Sequence, residues 1–355
     1  MKLAIILGTR PEIIKMSPII RECEKENLDF YILHTGQHYS YDMDKIFFEQ
    51  LNLPHARYNL DVGSGLHGKQ TAKMLSGIEE VLIKDRPEFV LIQGDTNTVL
   101  AGALAASKLQ IKVGHVEAGL RSFDRAMPEE TNRVIADHIS DYLFAPTETS
   151  RHYLLNEGIP KERIFVTGNT VVDAAFQNLE IAKTAGDVLK SLGLKDKEYF
   201  VVTAHRAENV DSKSRLSGIL SGFSQIYKEF GLPIIFPAHP RTVKMIREFG
   251  LEVPNGTKLI EPLGYLEFLQ LESGAKLILT DSGGVQEESC ILQVPCVTLR
   301  DNTERPETVD VGANLIAGTG EKIILCVRKM LESGKGWTNP YGDGNAAERI
   351  LGELR

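Results

Sequence analysis

Short segments that are apolar at nearly every position recur along this chain, separated by longer stretches of helical period. The first set is LAIIL (3–7), FYILHT (30–35), FVLIQG (89–94), KVGHVE (112–117), YLFAPT (142–147) and IFVTGN (164–169). A second set restarts at YFVVTAH (199–205) and runs through PIIFPAH, KLIEPL, KLILTDS and PCVTLR to ANLIAG (313–318). A strand with one solvated face alternates apolar and polar residues, whereas a strand covered by helices on both faces does not. The pattern therefore predicts an α/β chain with two parallel, doubly wound sheets. Its 355 residues also exceed the roughly 250–300 at which a single core stops growing. The boundary is expected near 169–198, where a helical stretch ends in a Gly- and Lys-rich turn, giving domains 1–169 and 170–342.

A formal charge of -8 argues against a nonspecific nucleic-acid binder, because a phosphate backbone is held mainly by excess Lys and Arg. Any anionic ligand must meet a local cationic pocket. Cys23, Cys290, Cys296 and Cys326 form no CxxC pair and lie in or beside apolar stretches, as reduced thiols do, so a cytoplasmic protein is expected. LAIIL is too short for a signal-peptide core, and no run approaches the ~20 apolar residues of a membrane span, so no membrane partner is expected.

Open parallel sheets bind ligands beyond the carboxyl ends of their strands, so the polar residues that end each apolar run are the ones to read. GTRPEIIK follows the first strand, GDTNT the third, EAGLR the fourth, and AHRAEN and DSGGVQEE follow two strands of the second set. In DSGGVQEE, Ser282 can cap a helix, while Gly283 and Gly284 let a ligand approach free N–H groups that favour an anion such as a diphosphate. Glu287 and Glu288 are read in the first turn, suited either to the helix dipole or to both hydroxyls of a ribose. In LGTRPEIIK, Gly8 frees the turn, Pro11 suits the first helical position, and Arg10 and Lys15 can reach back over the helix start. The GxxxxGK[ST] phosphate loop is absent, so ATP hydrolysis is not suggested. Leu263, Tyr265 and Phe268 suit either a base sandwich or plain core, and core is the commoner outcome. His205 beside Arg206 suits an interior histidine or a ligand-facing one.

One connection, HVEAGLRSFDRAMPEETNRVIADH (115–138), gathers Glu117, Arg121, Asp124, Arg125, Glu129, Glu130 and Arg133. Such density usually marks a solvated loop and the first turn of a helix. Taken in series, however, GTRPEIIKMSP, GDTNTVLAG, VGHVEAGLRS, PEETNR, APTETSRHYL, TGNTVVDA, TAHRAEN, DSGGVQEE and RDNTERPE resemble the non-hydrolysing UDP-N-acetylglucosamine 2-epimerase family. The match runs from residue 5 to about 350 in the family's order and spacing.

The resemblance implies a glycosyltransferase-B-type fold: two Rossmann-like domains facing across a cleft, with a C-terminal helix, 343–355, packing back on the first. It implies reversible conversion of UDP-GlcNAc to UDP-N-acetylmannosamine with no cofactor, neither NAD nor metal. Position by position, it makes Arg10, Lys15, His205, Ser282, Gly283 and Gly284 diphosphate ligands, Glu288 the ribose ligand, Phe268 the uracil neighbour and Arg305 a further cleft contact. Asp95, Glu117 and Glu129 fall on the family's catalytic carboxylates, with His205 beside them. The sequence SFDRAMPEE lacks an aromatic before the proline that some bacterial members carry. A second, regulatory UDP-GlcNAc is implied near Gln37, His38, Gln70, Glu130, Arg206 and His239, and a homodimer is expected.

The hydrogen on carbon 2 of the sugar is not next to a carbonyl, so it must be acidified before a carboxylate can take it. Departure of UDP from carbon 1 does this, leaving 2-acetamidoglucal; a proton returned on the other face, followed by UDP, yields the epimer. Cations and N–H groups are needed for the leaving diphosphate, and acid and base groups on two faces of the ring. Crowded carboxylates are expected to raise at least one pKa, keeping a proton available. Three alternatives are open: a UDP-sugar glycosyltransferase, a 2-epimerase of a modified UDP-hexosamine, and a non-catalytic UDP-sugar sensor. The three carboxylates could also hold a divalent metal.

Overall fold

Parallel pairing runs through both sheets of the chain. The computed structural model describes residues 1–37, 41–334 and 336–355. The first sheet contains β1 (Lys2–Leu7), β2 (Asp29–His34), β3 (Tyr58–Asn59), β4 (Phe89–Gln93), β5 (Lys112–Val116), β6 (Tyr142–Ala145) and β7 (Ile164–Val166). Its order is β3-β2-β1-β4-β5-β6-β7, with Leu3 of β1 in register with Phe30 on one side and Phe89 on the other. The second contains β8 (Phe200–Thr203), β9 (Ile234–Pro237), β10 (Thr257–Ile260), β11 (Leu277–Thr280), β12 (Cys296–Thr298) and β13 (Asn314–Ile316), in the order β10-β9-β8-β11-β12-β13. Each sheet reverses its winding once, between β1 and β4 and between β8 and β11. Those reversals are where a doubly wound sheet opens a crevice for ligand.

The apolar runs became strands because both their faces are covered: Leu3–Leu7, Phe200–Val202 and Leu277–Leu279 are fully buried. The covering helices carry one apolar stripe each. In Arg10–Lys25, Ile13, Met16, Ile20 and Cys23 recur at helical spacing and are buried. The sequence reading missed β3, whose two residues are too few for an apolar run and pair only with the ends of β2.

Two compact units result, Met1–Gln177 with Tyr341–Arg355, and Asn178–Pro340. The division falls inside the helix Thr170–Ala185, not ahead of it, because the first turns of that helix are tied to the tail. Asn169 N–H donates to the Tyr341 carbonyl at 2.8 Å, and Ala347 N–H to Asp173 Oδ1 at 3.0 Å. The last helix, Ala346–Glu353, packs on Arg10–Lys25 and buries Ala346, Ala347, Ile350 and Leu351. Among the described residues, no helix is long and apolar enough to cross a membrane.

Candidate functional site

In the first unit, the loop that leaves β1 enters the helix Arg10–Lys25 through Thr9, in extended backbone, with proline in the first turn. Gly8 is dictated by crowding, since a Cβ there would collide with the hydroxyls of Thr35 and Thr98. The buried Glu12 ties this loop to the one after β4. Its carboxylate accepts from Gly8 N–H at 3.1 Å, Thr9 Oγ1 at 2.7 Å and Thr96 Oγ1 at 2.9 Å. Burial pushes the Glu12 carboxyl up to about 7 despite these donors. Arg10 reaches Asp44, Nε to Oδ1 at 3.3 Å, and the fully buried His34 lies 3.2 Å from the other oxygen of that carboxylate.

Glu117 follows β5 with φ of 68°, a left-handed backbone that costs a non-glycine residue and marks functional turns. Gly119, also at positive φ, lies so close to Ser150 that no Cβ would fit. The Glu117 carboxylate is buried and receives Lys15 Nζ at 2.7 and 2.8 Å, Gln93 Nε2, and Asn169 Nδ2 at 3.3 Å. Asp95, after β4, accepts from Arg133, which also holds Glu130 at 2.8 Å. Glu129 is half-buried at the start of the helix Pro128–Ile139. Asp95 and Glu117 each meet a cation, and burial raises the carboxyl of Glu12, which the sequence reading did not single out.

The charge run after β5 resolves into separate tasks. Arg121 pairs with Asp137 at 2.7 Å and with Glu157 at 2.7 Å, and Asp137 also takes His115 Nδ1 at 2.7 Å. Burial alone would raise the Asp137 carboxyl, but His115 and Arg121 hold it below its usual range. Glu130 behaves alike: burial opposes ionisation, while Ser122 and Phe123 N–H groups, the Ser122 hydroxyl and Arg133 hold the carboxyl low. Gln37 Oε1 accepts from Thr98 N–H at 3.2 Å, and Gln70 donates to the carbonyls of Gln37 and Gly63 at 2.8 Å. Expected regulatory residues Gln37, Gln70 and Glu130 are therefore buried inside hydrogen-bonded networks, and His38 lies outside the described residues.

In the second unit, the polar loops after β8 and β11 lie at that sheet's own reversal. Asp281, fully buried, accepts from the backbone N–H groups of His205 and Arg206 at 2.9 Å and from Asn209 Nδ2 at 3.0 Å. The carboxylate thereby sets the AHR turn and leaves the His205 ring exposed, with Nδ1 3.3 Å from Asp281 Oδ1. Ser282 occupies the N-cap position of the helix Gly283–Ile291, yet its hydroxyl makes no capping bond. A Cβ at Gly284 would meet nothing nearer than Ser282 Oγ at 4.0 Å, so the helix start is open to an anion. Because the helix begins at Gly283, Glu287 and Glu288 lie beyond its first turn, and the dipole does not account for them. Glu287 instead meets Arg305 Nε at 2.6 Å. Phe268 is half-buried against the apolar cluster that includes Leu263. His239 caps the helix Pro240–Glu248 by accepting from Arg241 N–H at 3.2 Å, and Arg206 lies 3.9 Å from Glu304.

Sequence reasoning passed over Gln93, Asn169, Asp281 and Glu272. Each is a polar residue ending an apolar run or buried in a helix, a signal that becomes legible only once its partner is known. Among the described residues, no three His, Cys, Asp or Glu side chains are grouped to hold a metal ion.

Two doubly wound units, one with an open helix start after β11 and one with a lysine-bound carboxylate after β5, have the frame on which many nucleotide-binding enzymes are built. Comparison with known proteins narrows this. The UDP-N-acetylglucosamine 2-epimerase family matches residues 21–355. A UDP-N-acetylglucosamine 2-epimerase of Methanocaldococcus jannaschii is 61% identical, covering 99% of this chain and 98% of the relative. A crystal structure of the M. jannaschii UDP-GlcNAc 2-epimerase in complex with UDP-GlcNAc and UDP superimposes with a TM-score of 0.84 at 61% identity, over 100% of this chain and 99% of that one. A UDP-2,3-diacetamido-2,3-dideoxy-D-glucuronate 2-epimerase of Pseudomonas aeruginosa is 42% identical over 99% of this chain and 98% of its own. The chain belongs to the UDP-N-acetylglucosamine 2-epimerase family of enzymes.

Proposed function

We propose that the protein interconverts UDP-GlcNAc and UDP-N-acetylmannosamine by eliminating UDP and adding it back. In the first half, a carboxylate takes the proton from carbon 2 while the bond from carbon 1 to oxygen breaks and UDP leaves with the electron pair. The product is 2-acetamidoglucal, with a double bond between carbons 1 and 2. Protonation of carbon 2 on the opposite face and return of UDP to carbon 1 give the epimer. Catalysis on this route rests on charge placed where it develops. The open start of helix Gly283–Ile291 with His205 serves the diphosphate, and Asp95, Glu117 and Glu129 serve as proton donors and acceptors.

The observation that carries this reading is Glu117: a buried carboxylate on a left-handed backbone, held by Lys15, Gln93 and Asn169 beside the sheet reversal. A carboxylate fixed from several sides is suited to one proton position and poorly suited to a structural ion pair alone. Proton NMR of the purified protein with UDP-GlcNAc in heavy water tests it, with deuterium at carbon 2 and growth of the manno epimer as the expected result. Product formed without deuterium would exclude elimination, and no change at all would return the glycosyltransferase or sensor readings. The 42% identity to a 2-epimerase of a diacetamido uronate favours one second reading, the same chemistry on a modified UDP-hexosamine. Parallel incubation with that sugar nucleotide separates the two by kcat/KM.

A further inference from the structure

Glu272 is a carboxyl that the reaction above does not use. It lies on the helix Tyr265–Ser273, fully buried, and among the described residues neither of its oxygens receives a hydrogen bond from a donor group. What it meets is the carboxyl of Glu288, on the adjoining helix Gly283–Ile291. A fully buried carboxyl in contact with a second carboxyl does not ionise along with it, and sharing one proton is the stable arrangement. Glu288 is the half-buried member of the pair and so the better solvated of the two.

We propose that Glu272 is a positioning residue, a neutral carboxylic acid at neutral pH whose O–H donates to Glu288 and fixes that carboxylate, charged and in one rotamer, for the ribose hydroxyls of a bound uridine nucleotide. This rests on the nucleotide-sugar reading of the second unit and deepens it. Burial first, and then the Glu288 charge and contact, push Glu272 well above the ordinary carboxylate range. Another titratable group acting beside it is the thiol of Cys296 at the start of β12, itself pushed up to about 12 and therefore uncharged. A carboxylate held in one rotamer can accept from two neighbouring hydroxyls at once.

Two variants distinguish positioning from mere packing. Glu272→Gln keeps a donor toward Glu288, whereas Glu272→Leu fills the space with none. An infrared difference spectrum of wild type minus Glu272→Gln at neutral pH should contain the carbonyl stretch of an un-ionised carboxylic acid. Calorimetric titration with UDP and with 2′-deoxy-UDP supplies the second readout. Wild type and Glu272→Gln should prefer UDP, and Glu272→Leu should lose about tenfold in UDP affinity, the scale of one hydrogen bond to a charged group. Its preference over the deoxy nucleotide should shrink in step. Absence of the infrared band, or a Glu272→Leu variant with unaltered preference for the 2′-hydroxyl, overturns the proposal. Wild-type protein that incorporates no deuterium yet discriminates the two nucleotides removes the epimerase reading and leaves this one standing. Wild-type protein that binds no UDP removes both.

Discussion

The ammonium of Lys15 lies 2.7 Å from one carboxylate oxygen of Glu117 and 2.8 Å from the other. Lys15 comes from the second turn of the helix after β1, and Glu117 from the turn after β5, so the pair joins two loops of one sheet edge. An amine centred on both oxygens neutralises the carboxylate without leaving it to a single partner. Lys15 is thereby placed in two tasks, holding one carboxylate of the proposed reaction and supplying positive charge beside it.

Replacement of Lys15 by Met is expected to lower kcat by about 100-fold or more, because proton transfer by a positioned group contributes on that order. Glu117 would lose this cation while Gln93 and Asn169 still donate to it, and breaking a buried ion pair on one side costs about 3–5 kcal/mol. Steady-state kinetics and urea unfolding of the same preparation give both numbers. A Lys15→Met protein with unchanged kcat would remove Glu117 and Lys15 from the chemistry.

Arg133 bridges Asp95 and Glu130. Conversion of Arg133 to Gln should lower kcat by about 100-fold, since Asp95 would lose the cation that orients it. The loss of stability should stay below about 1 kcal/mol for the Asp95 pair, because the Asp95 side chain is 34% exposed and solvent screens it. A drop in stability with full activity would mark Arg133 as purely structural.

Much of this was open to reading before any coordinates. The two sheets were legible because a strand covered on both faces must be apolar throughout, and LAIIL and LILT have no other use for that pattern. Gly8 was legible as a turn residue, although what requires it is the crowding by Thr35 and Thr98, and Gly283 and Gly284 were legible as a helix start left open. Partnership was not legible. Nothing in the charge run after β5 says that Arg121 belongs to Asp137 and Glu157 while Arg133 belongs to Asp95, since each pairing joins a different pair of elements. The position of Glu288 relative to the helix start depended on where the helix boundary falls, which sequence signals do not resolve. β3 and the Glu272 pair depended on tertiary contact alone.

Asp281 sets the turn that presents His205 and Arg206 in the second unit. Asp281→Ala would leave the N–H groups of His205 and Arg206 and the amide of Asn209 without their acceptor. A loss of at least about 2 kcal/mol in unfolding free energy is expected, because each bond goes to a charged group. UDP affinity should fall with it, as the turn that carries His205 relaxes. Asp281→Asn retains an acceptor and should recover part of both quantities. Chemical denaturation and UDP titration of the two variants check this, and equal behaviour of Ala and Asn would show that the carboxylate is dispensable.

Glu12 gives the fold a pH dependence of definite sign. Burial raises its carboxyl from 4.5 to about 7, so between those values the folded chain binds a proton that the unfolded chain has released. Stability from this group is complete below pH 4.5 and is lost as pH rises through about 7, by roughly 3 kcal/mol in all. Asp137 works the other way and lower down, its depressed carboxyl adding stability above 3.8 that is lost only as pH falls through its folded value. The two windows therefore do not cancel. Urea unfolding of wild type and Glu12→Gln across pH 5 to 8 should show a stability difference that narrows or inverts toward high pH, because the amide never ionises. Parallel curves for the two proteins would mean that Glu12 is already ionised throughout, held by Gly8, Thr9 and Thr96 strongly enough to outweigh its burial.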